Sequence, residues 1–437
     1  MRNRGSIALG FIALILIGAI LLAAPFSRVT GTWGAPLTAA FTACSAVCVT
    51  GLSVVDIAAE YSRTGQIILL TLVQLGCLGL MTFGTFLMIA VGRRLSLARE
   101  FSLMNAYGVA EVRGLRGLIC WVIGSMLLIE GVAAALLYLR TDDLYLSIYY
   151  SIMSFCNAGF SILPRSLESF AADPFIIFTL AIEVVLGGIG FLVIYNLCTF
   201  KFLRRASGAR ARLTLHTRVV LRTSFILIAV AFVTFLALEW NHSLRDYSAP
   251  SKGWIAFFQA VTPRTCGFTI TPTESLQPLT RLIYSCLMFI GGAPGSAAAG
   301  IKVTTLAVLI ATLLAMCRGE NETIIRLRVV PTDIVRESFV ILMSLLVLSI
   351  LVLAALLLSE SNNSLTLEEL FFEAISAITT TGLSISSTTA RLSAQGKVVI
   401  MIAMFMGRLG ALTVVMLIGD REHTSHVRYP SEELVVG

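Results

Sequence analysis

The sequence predicts an all-α polytopic membrane protein: four helix–pore loop–helix repeats around a pseudo-fourfold central pore, eight spans, both termini cytoplasmic. Three observations carry this expectation. The chain is apolar with few charges, long uncharged stretches recur along it, and one glycine motif appears four times at near-equal spacing. Of 437 residues, 57% are hydrophobic and 13% charged, and the mean hydropathy is +0.89. Soluble domains carry roughly 45–50% apolar and about 25% charged residues. An ordinary soluble enzyme, a disordered chain and a disulfide-rich secreted domain are therefore excluded. A span needs about 20 mostly apolar residues, and uncharged stretches of that order occur at 5–27, 64–92, 282–301 and 338–359.

The first element begins at once. Arg2 and Arg4 precede a long apolar run that ends near Ala23-Ala24-Pro25. The run resembles a signal peptide but is longer than a typical apolar signal core, and many such segments follow. It reads as a retained first span held on the cytoplasmic side by its arginines. The cysteines and histidines show no metal or redox spacing apart from His423 and His426 in the tail. Cys44, Cys77, Cys120, Cys198 and Cys286 lie in apolar segments and read as small buried hydrophobes.

The repeated motif is CVTGLS at 48–53, CNAGFS at 156–161, RTCGFT at 264–269 and TTTGLS at 379–384. Its glycines are Gly51, Gly159, Gly267 and Gly382, spaced 108, 108 and 115 residues apart. Ten residues before each stands an aromatic: Phe41, Tyr149, Phe257 or Phe372. The segment between suits a short re-entrant helix rather than a span. A second glycine follows 25, 28, 25 and 25 residues later, at Gly76, Gly187, Gly292 and Gly407. Four units result: 1–92, 93–200, 201–317, and 318–437 including a tail. First helices are expected near 6–25, 117–139, 219–240 and 336–358. Second helices are expected near 65–92, 174–200, 279–317 and 396–418.

Charge orients the units. The connections 93–116, 201–218 and 318–328 are arginine-rich, which places them in the cytoplasm. Asp56, Glu60, Asp142, Asp143, Glu168, Asp173, Glu274, Glu360, Glu368 and Glu369 cluster near the glycine motifs, on the outer side. The net charge of +7 is thus a topology signal rather than a sign of nucleic-acid binding.

Irregular backbone at membrane depth persists only where it lines a cavity or is buried in protein. Four glycine-containing stretches facing one axis would offer rings of carbonyl oxygens able to replace the water shell of an alkali cation. The short helices would aim their partially negative C-termini at the same place. On these motifs the chain resembles the ion-translocating subunit of the Ktr/Trk potassium uptake systems, over nearly its whole length. The resemblance implies a K⁺ selectivity filter lined by Val49, Thr50 and Gly51; Asn157, Ala158 and Gly159; Thr265, Cys266 and Gly267; and Thr380, Thr381 and Gly382. In plant relatives a serine in the first unit goes with sodium transport, so Gly51 argues for potassium.

The third unit departs from the pattern. Its second helix is interrupted by Gly291, Gly292, Ala293, Pro294, Gly295 and Ser296, continuing to Gly300, with Lys302 just beyond. Such a stretch cannot stay helical. In the family it resembles the intramembrane gating loop under the filter. Lys302 and Arg408 are cations inside apolar surroundings and are expected to act at that gate. Plainer readings are a snorkelling Lys302 and an Arg408 paired with backbone carbonyls. Glu130 and Glu183 read as buried, hydrogen-bonded or protonated groups, and Glu239 as an outer helix end.

No nucleotide-binding motif occurs, and no cofactor is expected on this chain. The resemblance implies a homodimer with one pore per chain and a separate cytosolic nucleotide-binding ring docked on the arginine-rich loops. Those loops could equally serve topology and anionic lipid contact alone. The short N-terminus resembles Ktr more than Trk. The expected activity is potassium uptake across the bacterial cytoplasmic membrane. The alternative is a secondary symporter coupling K⁺ to Na⁺ or H⁺. An intramembrane enzyme would need a clustered catalytic constellation, and the spans show none.

Overall fold

A computed structural model describes residues 4–92, 114–206 and 213–410, and the protein is mostly helical. Helix α1 (Arg4–Ala23) stops before Pro25 and is followed by α2 (Pro36–Val47) and α3 (Arg63–Gly92). Then come α4 (Gly114–Thr141), α5 (Leu144–Cys156), α6 (Pro174–Ile189) and α7 (Phe191–Ala206). Next are α8 (Leu215–Glu239), α9 (Ala249–Val261), α10 (Pro278–Phe289) and α11 (Val303–Cys317). The series closes with α12 (Thr332–Ser359), α13 (Leu367–Ile378) and α14 (Ala394–Leu409).

The packing differs from that of a soluble protein on its outside: both the interior and the outer surface are apolar. The short helices α2, α5, α9 and α13, of 12 or 13 residues, are largely buried, with Phe41, Tyr149 and Phe372 at most 1% exposed; in α9 the expected Phe257 is only half-buried and its neighbour Phe258 is the buried aromatic. The long helices surround them and turn leucine, isoleucine and valine outward; on α12, Ile350 and Leu358 are 65% and 80% exposed. Apolar residues facing out of a helix bundle suit a lipid surroundings. A 13-residue helix is roughly 20 Å long, too short for a hydrocarbon core of about 30 Å. Among the described residues, three helices are long and apolar enough to cross a membrane: Cys120–Thr141, Leu215–Glu239 and Thr332–Ser359. The bent pair α6–α7 makes a fourth if taken as one span.

Caps fix where the short helices begin. Asp143 accepts from the Leu146 amide at 3.0 Å, and Thr366 with Glu369 forms a capping box at the start of α13. Proline opens α2 and α9. The cysteines divide differently from the sequence expectation. Cys44 and Cys77 are buried, but Cys120, Cys198 and Cys286 are exposed, because they sit on outward faces of outer helices where a small apolar side chain suits lipid.

The second helices differ from the sequence expectation in instructive ways. The expected helix 174–200 is bent by 97° at Gly190. That residue has φ 83° and ψ 145°, a conformation costly for any residue with a Cβ. The expected helix 279–317 is split by an irregular segment at 290–302, as the Gly/Pro run implies. The fourth runs to Leu409, with Gly410 at φ 85° and ψ 140°; its expected continuation to 418 lies outside the described residues. The two breaks fit together. The Phe191 amide donates to Gly295 O at 3.2 Å, Ala293 N to Gly188 O at 2.8 Å, and Ala297 N to Gly187 O at 3.2 Å. Each segment supplies the hydrogen bonds the other gives up by not being helical. Gly190→Ala is expected to cost about 1–2 kcal/mol from the left-handed backbone, and its Cβ would also stand 2.7 Å from Pro294 O. A lowered unfolding midpoint in detergent would show this. Gly131→Ala, where a Cβ meets nothing within 4 Å, should be neutral.

Candidate functional site

The four glycine motifs meet. At each, a short helix ends and the chain turns left-handed two residues before the glycine: Val49 (φ 54°), Asn157 (58°), Thr265 (71°) and Thr380 (48°). The glycines themselves are left-handed, at 90°, 66°, 83° and 86°, while the residues between, Thr50, Ala158, Cys266 and Thr381, are not. Alternate handedness has a consequence. In an extended strand successive carbonyls point to opposite sides; alternation of left- and right-handed residues turns successive peptide groups the same way. The amide hydrogens point back to the short helices. Thr50 N donates to Ser45 O, Ala158 N to Met153 O and Thr381 N to Ser376 O, at 2.8–2.9 Å, and Cys266 N to Thr262 O at 3.0 Å. Among the described residues, none of the carbonyls of these four triads accepts a hydrogen bond. Valine and threonine in left-handed backbone cost of order 1–3 kcal/mol each, so the conformation is imposed by the surrounding packing.

The motifs also touch in cyclic order. A Cβ added to Gly51 would overlap the carbonyl oxygen of Ala158. One on Gly159 would lie 2.8 Å from Cys266 O, and one on Gly267 2.8 Å from Thr381 O. One on Gly382 would overlap Thr50 O, which closes the ring. In every case the glycine abuts the carbonyl just before the next motif's glycine. The flanking triad residues are buried while the four glycines are partly exposed. The glycines therefore line an opening, with a circle of unpaired carbonyls beside it.

Behind this ring, Gly76, Gly187 and Gly407 press on the carbonyls of Val47, Phe155 and Ile378, each four residues before its motif glycine. Gly292 in the third unit stands instead against Gly188 O. The irregular segment thus occupies the place where the other units have plain helix contact. It is closed at its base by Gly291 N to Ile301 O at 2.9 Å and Ile301 N to Phe289 O at 3.0 Å. Pro294, Gly295 (φ 71°), Ser296 and Gly300 (φ 69°) form its turns, with Ser296 Oγ donating to Ala293 O at 2.7 Å.

The two predicted cations converge on this segment. Lys302 Nζ donates to Ala298 O at 2.6 Å. Arg408, 1% exposed, donates to Ala297 O at 2.6 Å and to Gly76 O at 3.0 Å. Adjacent loop carbonyls are thus held by two different elements, and the arginine ties the loop to α3. Neither cation has a carboxylate at ion-pair distance among the described residues. Glu130 accepts from Gln74 Nε2 at 2.9 Å, and Glu183 from Ser151 Oγ at 2.6 Å. Glu239 is buried at the end of α8 and accepts from the Gln277 amide at 2.9 Å.

Sequence reasoning passed over Gly76 and Gly188 as partners, and Arg264, just after α9, and Glu373 of α13 as buried charges. A charged residue inside an apolar run was the readable signal for the last two. Of the arginine-rich loops, 93–113 and 207–212 lie outside the described residues. The loop 318–328 carries a small hairpin, β1 (Ile324–Ile325) with β2 (Arg328–Val329), whose tip residue Leu327 is 98% exposed.

Comparison with known proteins agrees with this geometry. The family profile described as TrkH, cation transport protein, matches residues 10–424. Ktr system potassium uptake protein B of Bacillus subtilis is 33% identical over 99% of this chain and 96% of that protein. The potassium/sodium uptake protein NtpJ of Enterococcus hirae is 30% identical over 99% and 96%. The crystal structure of the potassium transporter TrkH from Vibrio parahaemolyticus superimposes with a TM-score of 0.74, covering 94% of this chain and 84% of that one at 16% identity. With outward-facing apolar helices, a ring of unpaired carbonyls and a matching profile over almost its full length, the chain belongs to the TrkH family of cation transport proteins.

Proposed function

We propose that this protein carries K⁺ into the cell across the bacterial cytoplasmic membrane, through a channel-like pore at the four glycine motifs. The observation that carries the reading is the closed cyclic contact of the motifs, with left-handed backbone in register and carbonyls left unpaired. Buried carbonyls without partners are costly, and a dehydrated alkali cation is a partner that suits several at once. In this reading Val49–Gly51, Asn157–Gly159, Thr265–Gly267 and Thr380–Gly382 form the filter. The units 1–92, 93–200, 201–317 and 318–437 each contribute a helix, a short helix and a second helix, giving eight spans with both termini inside. The membrane potential supplies about 2.3 kcal/mol per charge per 100 mV for inward movement.

The segment 291–300 is the gate in this reading, held shut by Lys302 and Arg408. A cytosolic nucleotide-binding partner opens it from the loop side, and two copies of the chain pair in the membrane. Similarity to a potassium/sodium uptake protein favours one further reading, a symporter coupling K⁺ to Na⁺ or H⁺. One experiment tests both. Purified protein in liposomes should pass K⁺ and Rb⁺ under an inside-negative potential with no Na⁺ or pH gradient. Flux that requires either gradient replaces the channel reading with the symporter, and an absence of cation flux under all gradients removes both.

A further inference from the structure

Among the central helices, α13 alone places a carboxylate inside the protein. Helices α2, α5 and α9 contain no acidic residue, whereas Glu373 of α13 is 0% exposed. It stands nine residues before Gly382. Its two oxygens are taken by hydroxyls from the chain just beyond that glycine: Ser384 Oγ donates at 2.8 Å, and Thr389 Oγ1 donates to the other oxygen. Thr389 is itself 1% exposed. No cation lies at ion-pair distance from Glu373 among the described residues. A carboxylate out of water without a counter-ion is retained only when its oxygens are hydrogen-bonded. Here every recorded bond goes to one stretch, residues 384–389, which runs through left-handed Ser386 (φ 48°) and Ser387 (φ 53°).

The same register is bridged elsewhere by weaker means. Tyr150, nine residues before Gly159, shares a 2.7 Å hydroxyl–hydroxyl bond with Ser161, two residues after it. In the third unit the bridge is shifted by one residue: Gln259, eight residues before Gly267, reaches across to Thr271. In the first unit Thr42 bonds to Thr38 O and also meets the Tyr61 hydroxyl, ten residues after Gly51, while Ser53 bonds to Val55 O. A bridge from short helix to outer arm therefore exists in each unit, and only in the fourth does it use a carboxylate, an acceptor of roughly twice the hydrogen-bonding strength.

We infer that Glu373 is a positioning residue that fixes the outer arm of the fourth glycine stretch through Ser384 and Thr389, and thereby sets which cation the pore accepts. The inference rests on the filter reading above. A carbonyl ring discriminates between cations by the spacing and rigidity of its oxygens. The hydrogen bonds of the Glu373 carboxylate go to Ser384 and Thr389 rather than to the glycine triads; it acts by holding residues 384–389 against α13.

The test uses the full chain in liposomes, with K⁺ and Na⁺ flux measured in parallel for the parent, Glu373→Ala, Glu373→Gln, the pair Ser384→Ala with Thr389→Val, and Gly382→Ser. Glu373→Ala and the hydroxyl pair should lower the K⁺/Na⁺ flux ratio roughly tenfold, as expected for losing hydrogen bonds to a charged group. Glu373→Gln keeps an acceptor and should recover much of the ratio. A general loss of folding would lower both fluxes in proportion, and that outcome overturns the inference. If Glu373→Ala does not insert, the hydroxyl pair decides, and a parental ratio there overturns it. A parental ratio in the Glu373 and hydroxyl variants, with a lowered one in Gly382→Ser, removes this inference alone. A parental ratio in Gly382→Ser as well removes the filter reading beneath it.

Discussion

Gly51→Ser or Gly382→Ser should abolish most discrimination between K⁺ and Na⁺. Two independent costs act at each site. The backbone sits at φ 90° or 86°, where a residue with a Cβ pays about 1–2 kcal/mol. The added Cβ would also overlap the carbonyl of Ala158 or Thr50 in the neighbouring motif. Relief requires that carbonyl to move, and among the described residues it is one of the motif carbonyls that accept no hydrogen bond. A displacement of a few tenths of an ångström in a coordinating ring changes its preference among cations of different radius. A tenfold fall in the K⁺/Na⁺ flux ratio corresponds to about 1.4 kcal/mol, well within the strain introduced. The expected signature is increased Na⁺ entry with retained K⁺ entry. Equal ratios in mutant and parent would remove the filter assignment.

The second large effect is expected at the irregular segment. Arg408→Gln, combined with Lys302→Gln, loosens the two side-chain bonds that hold Ala297 O and Ala298 O. In the proposed gate, the closed arrangement would lose charge-assisted bonds worth roughly 1.5–3 kcal/mol each, less whatever glutamine restores. K⁺ influx in the absence of a cytosolic partner should rise about tenfold or more, since a shift of this size moves a two-state gate substantially. Deleting residues 296–299 should have the same direction and a larger size. The measurement is liposome K⁺ flux with matched protein content. A flux unchanged in the double variant and in the deletion would take the gate role away from this segment.

Much of the fold, and the meeting of the four motifs, was legible because the motifs contact one another through backbone rather than side chains. Val, Asn, Thr or Cys can stand at neighbouring positions, but the close approach of one motif to the next demands glycine at Gly51, Gly159, Gly267 and Gly382. The Gly/Pro run at 291–300 was readable for a related reason, since no regular helix survives it. Gly190 was not. A glycine within an apolar run is ordinary in a span, and its bend is stabilised by amides and carbonyls from Gly295, Ala293 and Ala297, about a hundred residues along the chain. The partners of Arg408 were hidden for the same reason. A sequence shows that a buried cation needs acceptors; it does not show that Gly76 and Ala297 provide them.

The contact that closes the circle, Gly382 against the carbonyl of Thr50, has a bearing on how the protein is made. Synthesis proceeds from the N-terminus, and contacts between residues far apart in the chain form late. The first motif therefore waits, with one flank uncovered, until most of the polypeptide has left the ribosome and the last quarter has entered the bilayer. During that interval the left-handed turn at Val49 has no wall on one side to hold it. Ribosome-stalled chains ending before α13 should leave Thr50 and its neighbours open to cross-linking, and chains extending past α14 should protect them.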